Sequence, residues 1–444
     1  MRVRSWCNWT IILSSLSILT AMLLLTGCMN LGMKGESMQS ALAAGHVGNA
    51  LAIVEKEDSQ QKDVLASMNK GMLRRMKGDY QGSNRIFEVA KRQIEELYGV
   101  SVSEQASALI VNDTTRSYMG DRYEQVLLHA YMAMNYIQLD DLDGARVEMM
   151  QANVKMQEWG EEPEDDPFVR YLSGIIYEAL GERDQALVSY RLAKDAYKSS
   201  KKKHGLKIPV VLKKDLLRIL SEEGLEDELS ILKKEFNIKH FKAKPMAKGF
   251  GELIVVVNSG LAPIRHKQSI VANTSGEVVD TVKISIPKYT PPKERYSARL
   301  TTDSITSTDL QLVEDIDALA RGALADDMPL IMTRAIARAV LKHKTQERVE
   351  EKRGAMMGFL ATAINVATEQ ADTRSWTTLP QNIQLARVRL PEGLNKVKIE
   401  IYNAAGALVD IIEKNVQVKS GKSVFLTEHW VVPNMTLKVV ADKK

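Results

Sequence analysis

The sequence predicts an α+β multidomain protein: an N-terminal all-α solenoid followed by a β-rich, sandwich-like domain that has a helical insert. Two observations support this fold class. Short helical patterns joined by Gly-Asp turns recur between residues 38 and 240, and at Gly249 the apolar period changes from that of helices to that of strands. The length of 444 residues is consistent with two or three domains.

The clearest helical unit lies between residues 171 and 193. Gly174, Tyr177, Ala186, Tyr190 and Ala193 have the relative spacing of the tetratricopeptide repeat, in which small residues let two helices approach and tyrosines fill the space between hairpins. The unit therefore resembles that repeat family. The same spacing recurs upstream at Ala133, Tyr136, Ala145, Met149 and Ala152, and again at Gly71, Ser83, Phe87 and Ala90.

A tetratricopeptide-like repeat domain is therefore predicted over residues 38–240. Ala50 lies close to one ~34-residue period before Ser83, and insertions interrupt the array around residues 97–121 and 161–167. Helices near 210–221 and 227–236 would close the stack. Such a solenoid forms a concave surface that normally binds protein. By resemblance to the repeat family, Phe168, Tyr171 and Glu178 would face that groove, although Phe168 and Tyr171 are equally explained as core residues.

A β-rich domain is predicted over residues 250–444. Leu253–Val257 is a β-branched run that ends at a turn signal, and its successors suggest an antiparallel sandwich or sheet. The further predicted strands cover residues 268–272, 278–286, 295–301, 383–390, 395–402, 407–416, 423–432 and 436–440.

The helical insert covers about residues 309–372. One helix is expected from Asp309 to Ala325, a second from Pro329 toward Val349, and a third, apolar on most sides, from Ala355 to Glu369. This third helix is too short to span a bilayer. Burial against the helix from Pro329 is one interpretation of it. The other is an oligomer or partner interface, or a hairpin 329–369 that dips into the membrane.

The first 27 residues predict a lipoprotein signal peptide. Arg2 and Arg4 precede an apolar run that ends in Leu25-Thr26-Gly27-Cys28, which resembles the lipobox of bacterial lipoproteins. The resemblance implies cleavage before Cys28 and attachment of lipid, including palmitate, to that residue. Residues 28–37 would then be a lipidated tether, since several acyl chains hold a protein durably on a membrane.

The residue after the lipobox cysteine indicates the target membrane. By resemblance to enterobacterial lipoproteins, an aspartate at this position favours retention in the inner membrane, and here the residue is Met29. The expected location is therefore the outer membrane, on its periplasmic face.

Composition excludes several classes of function. Cys7 and Cys28 are the two cysteines of the chain, so the mature body has no disulfide or thiolate metal site. The formal charge of +4 falls further when Arg2 and Arg4 leave with the leader, which gives no case for a nucleic-acid partner. The seven histidines show no metal-binding spacing, and we predict no metal and no cofactor.

No catalytic residues are predicted, and the chain is not expected to be an enzyme. Ser285-Ile-Pro-Lys288 matches the Ser-x-x-Lys of penicillin-binding enzymes, but Ser199-Ser-Lys-Lys202 matches it too. The partner motifs of those enzymes are absent from the sequence.

The whole layout resembles proteobacterial outer-membrane lipoproteins that pair a tetratricopeptide-like region with a C-terminal β-rich domain. We therefore expect a periplasmic adaptor or scaffold of the cell envelope that binds protein partners, or, by analogy alone, an activator of a peptidoglycan synthase. The alternative is an oligomeric, membrane-associated or pore-associated subunit that uses the apolar hairpin 329–369. A homo-oligomer would fit that alternative.

Overall fold

The structure, a computed structural model, describes residues 38–57, 63–98, 117–159, 165–273, 281–305, 307–353 and 370–431. The chain divides into two compact units. One comprises residues 1–61 and 432–444, and its described part includes helix α1 (Val47–Glu57). The other comprises residues 62–431 and contains a helical array and the sheets.

The helical array of the larger unit consists of successive helix hairpins, as the repeat pattern predicts. Four pairs are described: α2 (Val64–Met76) with α3 (Tyr80–Tyr98), α4 (Arg122–Gln138) with α5 (Leu142–Glu158), α6 (Pro167–Leu180) with α7 (Arg183–His204), and α8 (Val210–Glu222) with α9 (Glu226–Glu235). We call the first helix of each pair, α2, α4, α6 and α8, an inner helix.

Small residues let the two helices of a hairpin approach closely. A Cβ at Gly174 would lie 2.3 Å from Cδ1 of Tyr190, and one at Gly71 would lie 2.4 Å from Cδ1 of Phe87. Both aromatic rings are fully buried. These are the small and large positions of the predicted repeat, and their packing confirms that interpretation.

Side-chain caps fix the first residues of three helices in the array. Oδ1 of Asp63, of Asp141 and of Asp166 accepts a hydrogen bond from a backbone N–H in the first turn of α2, α5 and α6, respectively. Gly181 ends α6 with φ of 83°, a left-handed conformation that glycine adopts without steric cost. The short turns hold consecutive helices side by side.

The strands form two four-stranded sheets and a separate ribbon. The first sheet has the order β10 (Ser423–Trp430), β1 (Phe250–Ser259), β7 (Asn382–Pro391), β6 (Gln311–Asp315). The second has the order β5 (Thr308–Asp309), β4 (Ser297–Thr302), β8 (Gly393–Tyr402), β9 (Leu408–Val418), and β2 (Arg265–Asn273) pairs with β3 (Thr281–Tyr289).

Each predicted strand that falls on described residues is confirmed within a few residues at its ends. The predicted strand 436–440 lies outside the described residues. The pairing of β1 with β10 is parallel, whereas the sequence pattern suggested an antiparallel sheet. The chain crosses from β9 in the second sheet to β10 in the first, and this crossover gives β10 its direction.

Strands of the second sheet contact strands of the first sheet, and strands of the first sheet also contact the inner helices. Tyr296 and Trp430 pack edge to face at 4.8 Å between ring centroids. Leu253 to Val257 of β1 are buried throughout, which explains why this strand is a continuous apolar run. The α+β layout with a sandwich-like sheet pair is thus as the sequence predicts.

The helical insert differs from the prediction in two respects. Residues 308–315 form β5 and β6 rather than the start of a helix, because β6 completes the edge of the first sheet beside β7. The helix that follows, α10 (Ile316–Arg353), continues through Pro329 rather than starting there. A proline interrupts only the local backbone hydrogen bond, and the flanking turns continue.

The described insert is therefore one long helix and not the first half of a hairpin that begins at Pro329. Ala335 of α10 is buried against Ile284 of β3. The predicted third helix, 355–369, lies outside the described residues. Among the described helices, none is long and apolar enough to cross a membrane. The hypothesis of an apolar hairpin over 329–369 is not supported by this arrangement.

Candidate functional site

The inner helices face the protein's own first sheet. Tyr131 of α4 donates a hydrogen bond to Oδ1 of Asn258 at 3.1 Å, and Arg75 of α2 donates to Oγ1 of Thr427 at 3.1 Å. Trp376, just before β7, packs edge to face against Phe87 and Tyr131 at 5.8 and 5.9 Å. The surface that a tetratricopeptide-like array normally offers to a partner is thus covered by the first sheet of the same chain.

The three residues that the sequence placed in the groove lie within this contact. Phe168 and Tyr171 are fully buried. Glu178 is half-buried and pairs with Arg387 of β7, with 3.1 Å between Oε2 and Nη1. Phe168 and Tyr171 are core residues, and the partner of Glu178 is the sheet of the same chain.

Arg387 is the centre of a charge network between helices and sheet. Its guanidinium contacts Glu178, Asp215 and Glu252, with 2.8 Å between Nη1 and Oδ2 of Asp215. Arg218 of α8 adds a second guanidinium at 2.6 Å from Oε1 of Glu178. The Arg387 side chain is only 4% exposed, so the neighbouring carboxyl groups, and not water, stabilise its positive charge.

The pKa values of the carboxyl groups report this environment. Burial alone would raise the pKa of Glu178, but Arg387 and Arg218 outweigh it and lower that pKa to about 2. Burial raises the pKa of Asp215 in spite of the same two guanidiniums. Tyr171 donates to Asp215 and Tyr190 to Glu178, each at 2.6 Å, so two helices orient the carboxylates.

Replacing Arg387 tests whether this network holds the sheet on the helices. The Arg387→Met variant leaves three carboxyl groups without their central cation, so the free energy of unfolding should fall by about 3–5 kcal/mol. Arg389→Met is the matched control, because Arg389 lies two residues on in β7 and donates from an exposed position to the Pro245 carbonyl. Equal effects of the two changes in urea unfolding would contradict this role.

A pair of buried carboxyl groups lies at a second helix–sheet contact. Asp166 caps α6 with Oδ1, and Oε1 of Glu314 in β6 accepts from the Asp315 N–H at 2.8 Å. Asp166 Oδ2 and Glu314 Oε2 have no donor among the described residues. Burial raises the pKa of Asp166 to about 6, and burial together with the Asp166 charge raises the pKa of Glu314 well above its usual value.

This pair predicts how stability depends on pH. Because both folded-state pKa values are raised, the stabilisation is complete below about pH 4. It is lost as the pH rises, through about 6 for Asp166 and at higher pH for Glu314, at up to about 1.4 kcal/mol per pH unit for each group. In Glu314→Gln the side-chain amide can donate to Asp166, as a protonated Glu314 carboxyl would, but it does not titrate. Urea unfolding should therefore show a shallower decline between pH 4 and 7 for this variant.

Asp303→Asn, which removes an exposed carboxyl group, is the control and should keep the wild-type decline. If the free energy of unfolding of the wild-type chain instead rises with pH relative to that of Glu314→Gln, the pKa values of the two carboxyl groups are not raised in the folded state, and this prediction is wrong.

An open groove lies on the other side of the array, between α3 and α5. It has a volume of about 990 Å³, and residues of α4 form its floor. We call it the outer groove. The residues that line it are Lys91, Ile94, Glu95, Tyr98, Gln125, Leu128, His129, Val147, Met150, Gln151, Val154, Lys155, Glu158 and Trp159.

The walls of the outer groove expose large apolar side chains. Val147, Met150 and Val154 of α5 are 45%, 52% and 53% exposed, and Tyr98 of α3 is 45% exposed. The three α5 residues recur at i, i+3 and i+7, the spacing that places them on one face of a helix. Isolated exposed apolar residues are ordinary, whereas a row of them in a concave surface is typical of a binding site.

The floor of the outer groove contains a buried polar chain. Nδ1 of His129 lies 2.8 Å from Oε2 of Glu148, and both oxygens of Glu148 lie 3.2 Å from Nζ of Lys91. Burial would raise the pKa of Glu148, but the hydrogen bond from His129 and the charge of Lys91 lower it, so the group is a carboxylate. This chain joins α3, α4 and α5 at the closed end of the groove.

Sequence reasoning missed the outer groove. The signal was present as the apolar row on α5, which the repeat pattern does not require, since its own positions are Ala145, Met149 and Ala152. The lipobox residues Leu25, Thr26, Gly27 and Cys28 lie outside the described residues, and lipid attachment stays a prediction.

The described residues bring no other predicted chemistry together. Ser285 and Lys288 lie in strand β3, where residues three apart point to opposite faces, so they do not form a Ser-x-x-Lys site. Among described residues, no group of three His, Cys, Asp or Glu side chains is placed to hold a metal ion.

Comparison with known proteins finds similarity among solved structures. No protein family matches the chain, and no curated protein matches it in sequence. Among solved structures, MamA AMB-1 is 15% identical, with 49% of this chain and 95% of that chain covered and a TM-score of 0.31. A putative kinesin light chain from Podosopora anserina with nearly identical TPR-like repeats is 13% identical, with 47% and 93% covered and a TM-score of 0.32. The repeat assignment rests on the helix packing described above.

Proposed function

We propose that the chain is a non-enzymatic protein-binding scaffold that holds its partner in the outer groove. The observation that supports this most directly is the contrast between the two sides of the array. The inner helices are covered by the first sheet of the same chain, whereas the outer groove exposes Val147, Met150 and Val154 in a concave surface.

The partner that fits this groove is an amphipathic helix. The walls are themselves helices, and an apolar row at i, i+3 and i+7 matches the apolar stripe of a helix laid against it. Charges of both signs, Glu95, Lys155 and Glu158, line the groove with these apolar residues. Apolar contact rather than net charge would therefore provide most of the affinity, with the charges selecting the orientation.

The scaffold would work from a membrane. The lipobox-like Leu25–Cys28 supports a lipid anchor on Cys28, and Met29 supports the outer membrane with the body in the periplasm. The partner would then be an envelope protein, and activation of a peptidoglycan synthase is the narrower version of this proposal. That narrower version rests on analogy alone, with outer-membrane lipoproteins that carry tetratricopeptide-like domains.

Crosslinking in intact cells tests the groove. Cells would express the tagged full-length chain, and crosslinked complexes would be purified and identified by mass spectrometry. Val154→Glu places a charge in the groove, and we expect the yield of its specific partner to fall at least about tenfold, since one buried unpaired charge is worth several kcal/mol.

Val188→Glu is the matched control, because Val188 is 52% exposed on α7 and does not line the outer groove. It should capture the partner as wild type does. Equal capture by Val154→Glu, equal loss in the control, or the absence of any reproducible protein complex would refute the proposal.

Labelling with radioactive palmitate tests the anchor. The wild-type chain and Cys7→Ala should incorporate label and sediment with outer membranes, because Cys7 lies in the leader. Cys28→Ala should incorporate none. Label on the Cys28→Ala chain, or an unlabelled wild-type chain, would show that Cys28 is not the attachment site.

A further inference from the structure

On the floor of the outer groove, Nε2 of His129 makes no hydrogen bond to the described residues. Three residues of α4 line the groove: Gln125, Leu128 and His129. Leu128 is apolar. Both ends of the Gln125 amide are engaged, since Oε1 accepts from the Tyr98 hydroxyl at 3.0 Å and Nε2 donates to the Gly120 carbonyl at 3.1 Å.

His129 is different, because only one of its ring nitrogens has a partner within the part of the chain that the structure describes. Nδ1 contacts the Glu148 carboxylate, while Nε2 has no hydrogen-bond partner among the described residues. Nε2 is also not one of the buried, solvent-inaccessible polar atoms. Since the ring lines the groove, a molecule that fills the groove can reach this nitrogen.

The partner of Nδ1 fixes the chemistry of Nε2. A carboxylate only accepts hydrogen bonds, so the neutral imidazole must hold its proton on Nδ1 and present a lone pair at Nε2. Lys91 holds Glu148 from the other side through both carboxylate oxygens. The lysine thereby keeps the carboxylate in place and is itself occupied.

We propose that His129 Nε2 is a specificity-determining acceptor, and that the partner helix presents a hydrogen-bond donor to it from within its apolar stripe. This inference rests on the proposed function of the groove. An apolar helix without a donor would bury the lone pair unpaired, whereas a helix with a hydroxyl at that point would satisfy it. The apolar walls select helices in general, and His129 selects among them.

Synthetic amphipathic peptides provide the probe. Each peptide would have one apolar stripe, and a threonine would replace a valine at one stripe position at a time, so that every Thr peptide has an isosteric Val twin. Binding to the full-length chain would be measured by fluorescence anisotropy. At one stripe position we expect the Thr peptide to bind about tenfold more tightly than its twin.

Two variants separate this inference from the groove itself. His129→Phe keeps an aromatic ring but no acceptor, and it should abolish or reverse the preference for threonine. Val154→Glu should abolish binding of both twins. If the Val peptides bind as well as the Thr peptides at every position and Val154→Glu blocks them all, the groove stands and the role of His129 is wrong. If Val154→Glu has no effect, or if no peptide binds, both the proposed function of the groove and the role of His129 are wrong.

A measurement on the wild-type chain removes any dependence on the folding of His129→Phe. The ¹⁵N chemical shifts of selectively labelled histidine distinguish protonated from unprotonated ring nitrogens. We expect Nδ1 of His129 to be protonated and Nε2 to be bare, with Nε2 shifting when the preferred Thr peptide binds. A proton on Nε2 in the free neutral chain would overturn the proposal.

Discussion

The contact between the inner helices and the first β-sheet is the interaction on which the rest of the larger unit depends. Arg387 brings a charge from the centre of the sheet into a nearly dry contact, and three carboxylates from α6, α8 and β1 surround it. An ion pair of this kind adds little net stability compared with apolar packing, but it specifies which surfaces meet, because any other docking leaves a charge buried and unpaired. The aromatic contacts of Trp376 provide the apolar part of the same interface.

This interface determines where function can reside. In an isolated repeat array the inner helices would form the binding surface. Here they pack against the first sheet and form part of the core. The outer groove lies between α3 and α5 over α4, away from the sheet contacts, and the buried chain Lys91–Glu148–His129 joins the three helices at the groove floor. The sheet thus fixes the array in one shape, and the groove is a property of that shape. A rigid groove loses less conformational entropy on binding than a flexible one.

Much of the architecture could be predicted from local patterns. Gly174 with Tyr190 and Gly71 with Phe87 meet as the repeat spacing requires, because close helix approach needs a missing side chain opposite a large one. The strands were readable from β-branched runs between turns. The insert was not, because Gln311–Asp315 alternates too briefly to be told from the first turn of a helix, and only its pairing with β7 makes it a strand.

The candidate site was harder, since its residues have ordinary local surroundings. The sequence left Phe168 and Tyr171 open between a groove, by analogy with free repeat arrays, and the core. Nothing local in the sequence says that a sheet built from strands 250–259, 311–315, 382–391 and 423–430 covers this side of the helices. The apolar row on α5 was visible in the sequence but could equally have been a core face. The sequence by itself determined the repeat register, the positions of most strands and the lipobox-like segment, because these depend on residues close together in the chain. Only the tertiary structure decided which helical face is buried and which is open, because burial depends on contacts between residues far apart in the chain.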